Sequence, residues 1–133
     1  MDQAEVRKSV TVAAVPGQVR TARAVVASAV GGSHPLAEAA VLLAGEIVSN
    51  SVRHSGSAVP GGLVTVAVTV AAGGAGVRVE VTDCSGESTP VLLPASGDGE
   101  GGWGMRLVDA LAARWGYCRG GGLATTWFEL APD

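Results

Sequence analysis

Residues 42–56 read LLAGEIVSNSVRHSG, and they set two polar side chains on the apolar stripe of a predicted helix. At about 100° per residue, Asn50 falls near the centre of the stripe formed by Leu43 and Ile47, and Glu46 falls at its edge. Burying an unpaired amide or carboxylate costs several kcal/mol, so either both groups are satisfied internally or the stripe opens onto a polar ligand. The two residues lie one turn apart. A carboxylate and an amide oxygen so placed can share a hydrated Mg²⁺, or the carboxylate can act as a base.

Two other stretches carry polar or glycine-rich patterns. Asp83 ends a predicted strand, where an acid caps a turn or accepts a hydrogen bond from a ligand. Residues 99–104, GEGGWG, directly precede a predicted helix. Bare backbone N–H groups and a helix N-terminus converge there, which favours either an anion site or a flexible connector.

The hydrophobic periodicity predicts strand, helix, helix, hairpin, long loop, helix and strand. The expected elements are a strand at Lys8–Val15, a helix from Pro16 to Val30, a helix from near Ser33 to about His54, a hairpin of Leu63–Ala72 and Val77–Val81, a loop from Cys84 to Gly102, a helix with Met105 inward that ends at Gly116, and a strand at Ala124–Leu130. This order predicts an α+β fold with two layers, in which helices cover one face of a mixed, mostly antiparallel sheet.

Length and composition narrow the class of protein. The 133 residues, 47% of them hydrophobic and 16% charged, suit a single domain over residues 1–133. A net charge of −3 gives no basic footprint for a nucleic-acid backbone, so direct nucleic-acid binding is not expected.

The N-terminal sequence has no signal-peptide pattern, and no run approaches the roughly 20 apolar residues that cross a bilayer. We therefore expect a cytoplasmic location and no membrane partner. Cys84 and Cys118 are widely spaced and lack a metal-ligand pattern, which indicates two reduced thiols.

The order of the motifs resembles that of the gyrase/histidine-kinase ATPase superfamily. The matching segments are LLAGEIVSNSVRHSG (42–56), VRVEVTDCSG (77–86), GGWGMRLVDALAARWG (101–116) and TTWFEL (125–130). Together they cover nearly the whole chain and look like the small anti-sigma-factor serine kinases of bacteria. The resemblance implies a Bergerat-type ATP-binding fold, with ATP and Mg²⁺ as cofactors.

The resemblance also implies a role for each matching residue. Glu46 is the expected general base, Asn50 the Mg²⁺ ligand and Asp83 the acceptor for the adenine amino group. The other expected nucleotide contacts are Arg53, Gly86, Gly102, Gly104, Met105 and Thr125.

The chain departs from the family pattern just after Asp83, where Gly-x-Gly is replaced by Ser85-Gly86-Glu87. A serine at a backbone position that needs positive φ costs on the order of 1 kcal/mol, and Glu87 adds negative charge near the expected nucleotide entrance. Two functions therefore stay open. The first is a kinase that phosphorylates a serine of an anti-sigma-factor antagonist, and the second is a non-catalytic module that sequesters a sigma factor or another regulator. The resemblance further implies a homodimer.

Overall fold

A computed structural model describes residues 5–54, 62–71, 76–84 and 100–132. Their elements, in chain order, are β1 (Val6–Ala13), a 3-10 turn (Pro16–Gln18), α1 (Val19–Val30), α2 (Ala37–His54), β2 (Leu63–Val70), β3 (Val77–Cys84), α3 (Glu100–Leu111), β4 (Arg114–Gly120) and β5 (Leu123–Leu130). Within these ranges, no helix is both long and apolar enough to cross a membrane.

The five strands form one sheet in the order β1-β2-β3-β5-β4. Each of the four pairings among the described strands is antiparallel, where the sequence predicted a mixed, mostly antiparallel sheet. The predicted α+β class and the predicted hairpin of β2 and β3 are confirmed.

Alternate residues of each central strand are buried, as the period of two requires. On this inner face the strands contribute mainly valines, and α1 and α2 pack against it. Most buried apolar side chains of the described residues belong to one cluster, whose most enclosed members include Val26, Leu43, Val48, Val64, Val66, Val68, Val79, Val81, Met105, Val108 and Phe128. The core thus depends on valines from the strands and on valine, isoleucine and alanine side chains from the helices, with few larger groups.

The opposite, outer face of the sheet carries a chain of ion pairs. Arg78 bonds Glu80 at 2.9 Å and Glu129 at 2.7 Å, Arg114 bonds the same Glu129, and Arg7 lies 4.0 Å from Glu80. Burial by itself would lower the pKa of Arg78, but its bonds to the two glutamates outweigh that effect and raise it. The hydrogen bond from Arg114 lowers the pKa of Glu129. Desolvation opposes this effect, and the hydrogen bond from Arg78 adds to it. Each of these three arginines therefore lies beside a glutamate of the chain, and two glutamates serve all three.

Trp127 and Gly116 pair across β5 and β4 on the same outer face. A Cβ at Gly116 would stand 2.7 Å from Cζ2 of the indole, which leaves no room for a side chain. The guanidinium carbon of Arg78 lies 4.3 Å from the centre of the Trp127 ring. The glycine therefore lets the indole lie flat against β4 while the arginine stacks on it.

The helix starts differ from the prediction. A 3-10 turn occupies Pro16–Gln18, so α1 begins at Val19, and α2 begins at Ala37 instead of near Ser33. His34 explains the later start of α2, because its Nδ1 accepts a hydrogen bond of 3.0 Å from the backbone N–H of Leu36. The residues from 32 to 36 therefore form turns, in which a side chain satisfies a backbone donor.

The prediction for the end of the third helix was wrong. The helix stops at Leu111, and Arg114–Gly120 form the edge strand β4, which sequence periodicity missed. Trp115 caused the error, because it follows Leu111 by four residues and also pairs with the buried Phe128 across the sheet. Both arrangements turn it inward. In the structure its indole Nε1 donates to Asp109 Oδ1 of α3 at 3.0 Å.

Candidate functional site

Glu46 and Asn50 are half-buried on α2, and helix geometry turns them away from α1. The flank of α2 that meets α1 is marked by Gly45, where a Cβ would stand 3.0 Å from Cζ of Arg23. Asn50 follows Gly45 by five residues, which places it about 140° around the helix. Glu46 and Asn50 are therefore on the side of α2 away from α1. The helix also packs against α3 and β3.

Asn50 has an unusual side chain for a helix that packs in a core. Its Oδ1 is buried and has no hydrogen-bond partner among the described residues. Leaving a buried acceptor unpaired costs about 1–3 kcal/mol, and native structures contain few such atoms. The sequence left open whether this amide is satisfied internally. Among the described residues it is not, so none of them supplies the donor that this buried carbonyl oxygen needs.

Asp83 lies near the end of β3, on the inner face of the sheet. It has the same strand parity as the buried residues Val79 and Val81, and it pairs with Val64 of β2 and Ala124 of β5. The side chain is half-buried. A carboxylate therefore interrupts the apolar inner face at one end of the sheet, on a strand that α2 contacts.

Thr125 does not lie with Asp83, and its expected role as a contact on that side of the sheet needs correction. Its hydroxyl is on the outer face, where it shares a 2.8 Å hydrogen bond with Thr82 of β3. The next residue, Thr126, is on the inner face, is only 8% exposed and pairs with Val81. Thr126 is therefore the threonine of this pair that shares a face with Asp83.

The glycine-rich segment enters α3 earlier than predicted. The helix begins at Glu100, so Gly102 and Gly104 belong to its first turns and do not form a loop before it. The backbone N–H of Gly102 is among the first four of the helix, which have no acceptor inside it, whereas that of Gly104 is not. Met105 is 2% exposed, so its side chain is part of the core. Any contact that it makes with a ligand would use its backbone.

The remaining expected nucleotide contacts are Arg53 and Gly86. Arg53 is exposed near the end of α2 and lies seven residues, or about two turns, after Glu46, on the same flank. It already makes an interaction within the chain. Gly86, together with the departures at Ser85 and Glu87, lies outside the described residues.

The donor set on α2 fits a magnesium ion that carries water and phosphate ligands. Within the described ranges, no three His, Cys, Asp or Glu side chains are grouped so as to hold a metal. Mg²⁺ in nucleotide sites uses few protein oxygens and completes its octahedron with water and phosphate. The buried Asn50 Oδ1 offers one oxygen ligand of this kind. The Glu46 carboxylate lies one turn before it on the same flank.

The fold of this chain also occurs in a known protein. A solved structure containing the RsbU and RsbW domains of Rv1364c from Mycobacterium tuberculosis matches it with a TM-score of 0.64 and 22% identity, over 94% of this chain and 31% of that one. The present chain thus spans about a third of the length of that chain. No curated protein gives a significant match. The family model of the histidine kinase-like ATPase domain matches residues 12–129, and the chain therefore belongs to that family.

Proposed function

We propose that this protein binds ATP with Mg²⁺ and transfers the γ-phosphoryl group to a serine of a regulatory partner protein. Glu46 is the general base and Asn50 holds the metal. The partner is an anti-sigma-factor antagonist, and the kinase itself sequesters a sigma factor in the cytoplasm. Two findings support a regulatory role of this kind. They are the chain's family and its similarity in fold to a solved structure that contains an RsbW domain.

The observation that carries the proposal is the buried Oδ1 of Asn50, which has no hydrogen-bond partner in the part of the chain that the structure describes. A core helix gains nothing from such an atom, because burying it removes water without supplying a donor. A bound cation compensates for that loss. The half-buried Glu46 lies one turn before Asn50, so the same flank offers both a metal ligand and a carboxylate for proton transfer.

The proposed reaction needs only positioning and one proton acceptor from the protein. The Glu46 carboxylate takes the proton of the incoming serine hydroxyl while the serine oxygen forms a bond to the γ-phosphorus. The bond between that phosphorus and the oxygen bridging to the β-phosphate breaks, and ADP leaves with that electron pair. When bound, Mg²⁺ neutralises charge that develops on the phosphate oxygens.

Nucleotide recognition is assigned to the other end of the site. Asp83 on the inner face accepts a hydrogen bond from the adenine amino group, and the buried Thr126 supports it from the adjacent strand. The first-turn N–H groups of α3 hold phosphate oxygens, with Gly102 among them.

Calorimetry of Mg²⁺-ATP binding tests the proposed function directly. We expect the wild-type protein to bind, and Asp83→Asn to abolish binding, because an amide nitrogen in place of a carboxylate oxygen turns an acceptor into a competing donor. Glu80→Gln on the outer face of β3 is the matched control, since it removes a carboxylate from the same strand. A change in affinity within about twofold, or roughly 0.4 kcal/mol, for Asp83→Asn would exclude this residue as the adenine contact.

The adjacent threonines provide a second test, which depends on the face of β5 that each occupies. Thr126→Val is expected to weaken nucleotide binding by roughly tenfold, the equivalent of one lost hydrogen bond of about 1.4 kcal/mol. Thr125→Val removes only the outer-face bond to Thr82, so the nucleotide affinity should not change. Both affinities can be measured in the same titration as Asp83→Asn. The opposite ranking of the two variants would place the nucleotide on the outer face.

The non-catalytic module is the second candidate function, and Ser85 and Glu87 favour it. In that case the protein binds Mg²⁺-ATP, or no nucleotide, and acts only by sequestration. A protein that binds Mg²⁺-ATP yet phosphorylates no antagonist supplied in excess would support this candidate. Replacement of Ser85 and Glu87 by glycine would then be expected to increase nucleotide affinity.

A further inference from the structure

The edge strand β4 places two polar side chains on the inner face of the sheet. Trp115 of β4 pairs with the buried Phe128 and points inward, and Tyr117 and Arg119 have the same strand parity as Trp115. Tyr117 is half-buried, and Arg119 is exposed. Both residues therefore belong to the face of the sheet that carries Asp83, on the far side of β5 from it.

Asp83 and Arg119 lie in one row across the sheet. Asp83 pairs with Ala124 of β5, and Ala124 pairs with Arg119 of β4. Neighbouring strands are about 4.8 Å apart, so the Cα atoms of the two charged residues are separated by about 10 Å. Ala124, which lies between them, is 6% exposed and has only a methyl group as its side chain. A carboxylate and a guanidinium group thus flank a short apolar residue on the same face.

The guanidinium group of Arg119 lies close to its neighbour on β4. Its Cζ is 6.0 Å from the centre of the Tyr117 ring, at the outer limit of the range for cation–π attraction. Both side chains also have a further interaction within the chain. A guanidinium group has several N–H donors in a planar fork, so such contacts position it and still leave donors for a ligand.

An adenine base matches this pair of residues at both ends. Its amino group N6 and its ring nitrogen N3 lie at opposite ends of one axis through the six-membered ring, and N6 is a donor whereas N3 is an acceptor. With a hydrogen bond of about 2.9 Å at each end, that axis spans about 10 Å between the two partner atoms. An ionised carboxylate only accepts hydrogen bonds, and a guanidinium group only donates them. The separation and the polarity of Asp83 and Arg119 therefore correspond to those of adenine.

We propose that Arg119 recognises the nucleotide base by donating a hydrogen bond to N3 of the adenine whose amino group is bound by Asp83. This inference rests on the proposed function, since it concerns the same nucleotide at the same carboxylate. It also gives a physical reason for a preference for adenine over guanine. Guanine has a carbonyl oxygen in place of the amino group and an additional amino group beside N3, so it presents an acceptor to Asp83 and a donor to Arg119.

The test is calorimetry with chemically modified nucleotides, each as its Mg²⁺ complex. In 3-deaza-ATP a C–H group replaces N3, which removes the acceptor but keeps the N6 amino group and the triphosphate. We expect the wild-type protein to bind 3-deaza-ATP roughly tenfold more weakly than ATP, because one hydrogen bond is lost. Arg119→Met removes the donors and keeps a long side chain, and it is expected to weaken ATP binding at least about tenfold.

The two changes together separate a hydrogen bond from a general effect of charge. Arg119→Met also removes a positive charge, which weakens the binding of any triphosphate. If Arg119 contacts N3, this variant should bind ATP and 3-deaza-ATP within about twofold of each other, because the bond is already absent. Arg114→Gln is the matched control, since it removes an arginine from the outer face of the same strand. It should keep the wild-type preference for ATP over 3-deaza-ATP.

A second modified nucleotide tests the same contact by adding a group. The base of 2-amino-ATP keeps the N6 amino group and carries an extra amino group beside N3. We expect the wild-type protein to bind it at least about tenfold more weakly than ATP, because the new donor meets the donors of Arg119. In Arg119→Met this penalty should become smaller. An equal penalty in the two proteins would contradict the proposed contact.

Failure of this inference and failure of the proposed function give different results. If Asp83→Asn abolishes ATP binding but the wild-type protein binds ATP and 3-deaza-ATP equally, the role of Arg119 is overturned and the nucleotide site stands. That comparison needs no variant of Arg119, so a folding defect in Arg119→Met does not affect it. A preference for ATP over 3-deaza-ATP that persists undiminished in Arg119→Met would assign the N3 contact to another residue. A wild-type protein that binds neither nucleotide would overturn both proposals.

Discussion

Glu46→Gln is expected to lower the rate of phosphoryl transfer to a serine acceptor by roughly 10²–10⁴-fold. Glutamine keeps the size of the side chain and its capacity for hydrogen bonds, but it cannot take the proton of the attacking hydroxyl. Glu46 is half-buried on α2, and a glutamine of the same size fits there without added bulk. The affinity for Mg²⁺-ATP should change by less than about twofold, because the proposed metal ligand is Asn50.

The measurement uses labelled ATP and an antagonist protein as the acceptor, with nucleotide affinity determined separately by calorimetry. Glu38→Gln is a suitable control, because Glu38 is an exposed residue in the first turn of the same helix. It changes the net charge by the same amount, far from the proposed base. Equal transfer rates for wild type and Glu46→Gln would remove Glu46 from the mechanism. A loss of nucleotide affinity that accounts for the lower rate would instead make Glu46 a binding residue.

The sequence predicted most of the fold because its periodicities are long and regular. The valines of β2 and β3 alternate without interruption, and the buried stripe of α2 continues from Ala40 to Val52. Such patterns determine the type of an element and the face that it buries. They predict the ends of helices and strands less well, because a local contact can determine where an element begins. The hydrogen bond from the Leu36 N–H to His34 is one such contact, and it delays the start of α2.

The missed strand β4 has a different cause, which is that one residue can fit both the helical period and the strand period. Trp115 continues the helical stripe from Leu111, and it also pairs with Phe128 once the chain becomes a strand. The indole of Trp115 faces the core whether this segment is a helix or a strand, so its burial alone does not distinguish the two. Gly116 did not decide either, because glycine is favoured just past a helix end and also fits a strand under a cross-strand indole.

The choice between Thr125 and Thr126 depends on strand parity. The segment TTWFEL has large aromatic residues at both Trp127 and Phe128, so these two residues alone do not choose the inner face. Glu129, which has the same parity as Thr125 and Trp127, was the available signal that this set faces outward. Phe128 is fully buried, and the indole of Trp127 stacks under Arg78 on the outer face. The cation that covers Trp127 comes from another strand and cannot be read from β5 alone. The polar residue of the inner face was therefore assigned one position too early.

Asn50 is the candidate site residue for which function and stability should respond in opposite directions. Its Oδ1 is buried without a partner among the described residues, so it contributes a desolvation cost to the protein in the absence of ligand. Asn50→Leu replaces the amide with an apolar group of similar size. The free energy of unfolding without nucleotide is therefore expected to stay equal or to rise by about 1 kcal/mol. Binding of Mg²⁺-ATP should be lost, because the metal has no oxygen at that position.

Thermal unfolding with and without Mg²⁺-ATP measures both effects in one experiment. The wild-type Tm should rise with nucleotide concentration, since a ligand that binds only the folded state stabilises it by mass action, and the Tm of Asn50→Leu should not. Ser51→Ala is the matched control. Ser51 is also buried on α2, but it has an interaction within the chain, so its removal should lower stability and leave the nucleotide response intact. Asn50→Asp keeps an oxygen but adds charge, and it should alter metal binding and phosphoryl transfer together. A large loss of stability in Asn50→Leu without nucleotide would show that the amide is structural, and the main support for the metal site would then be gone.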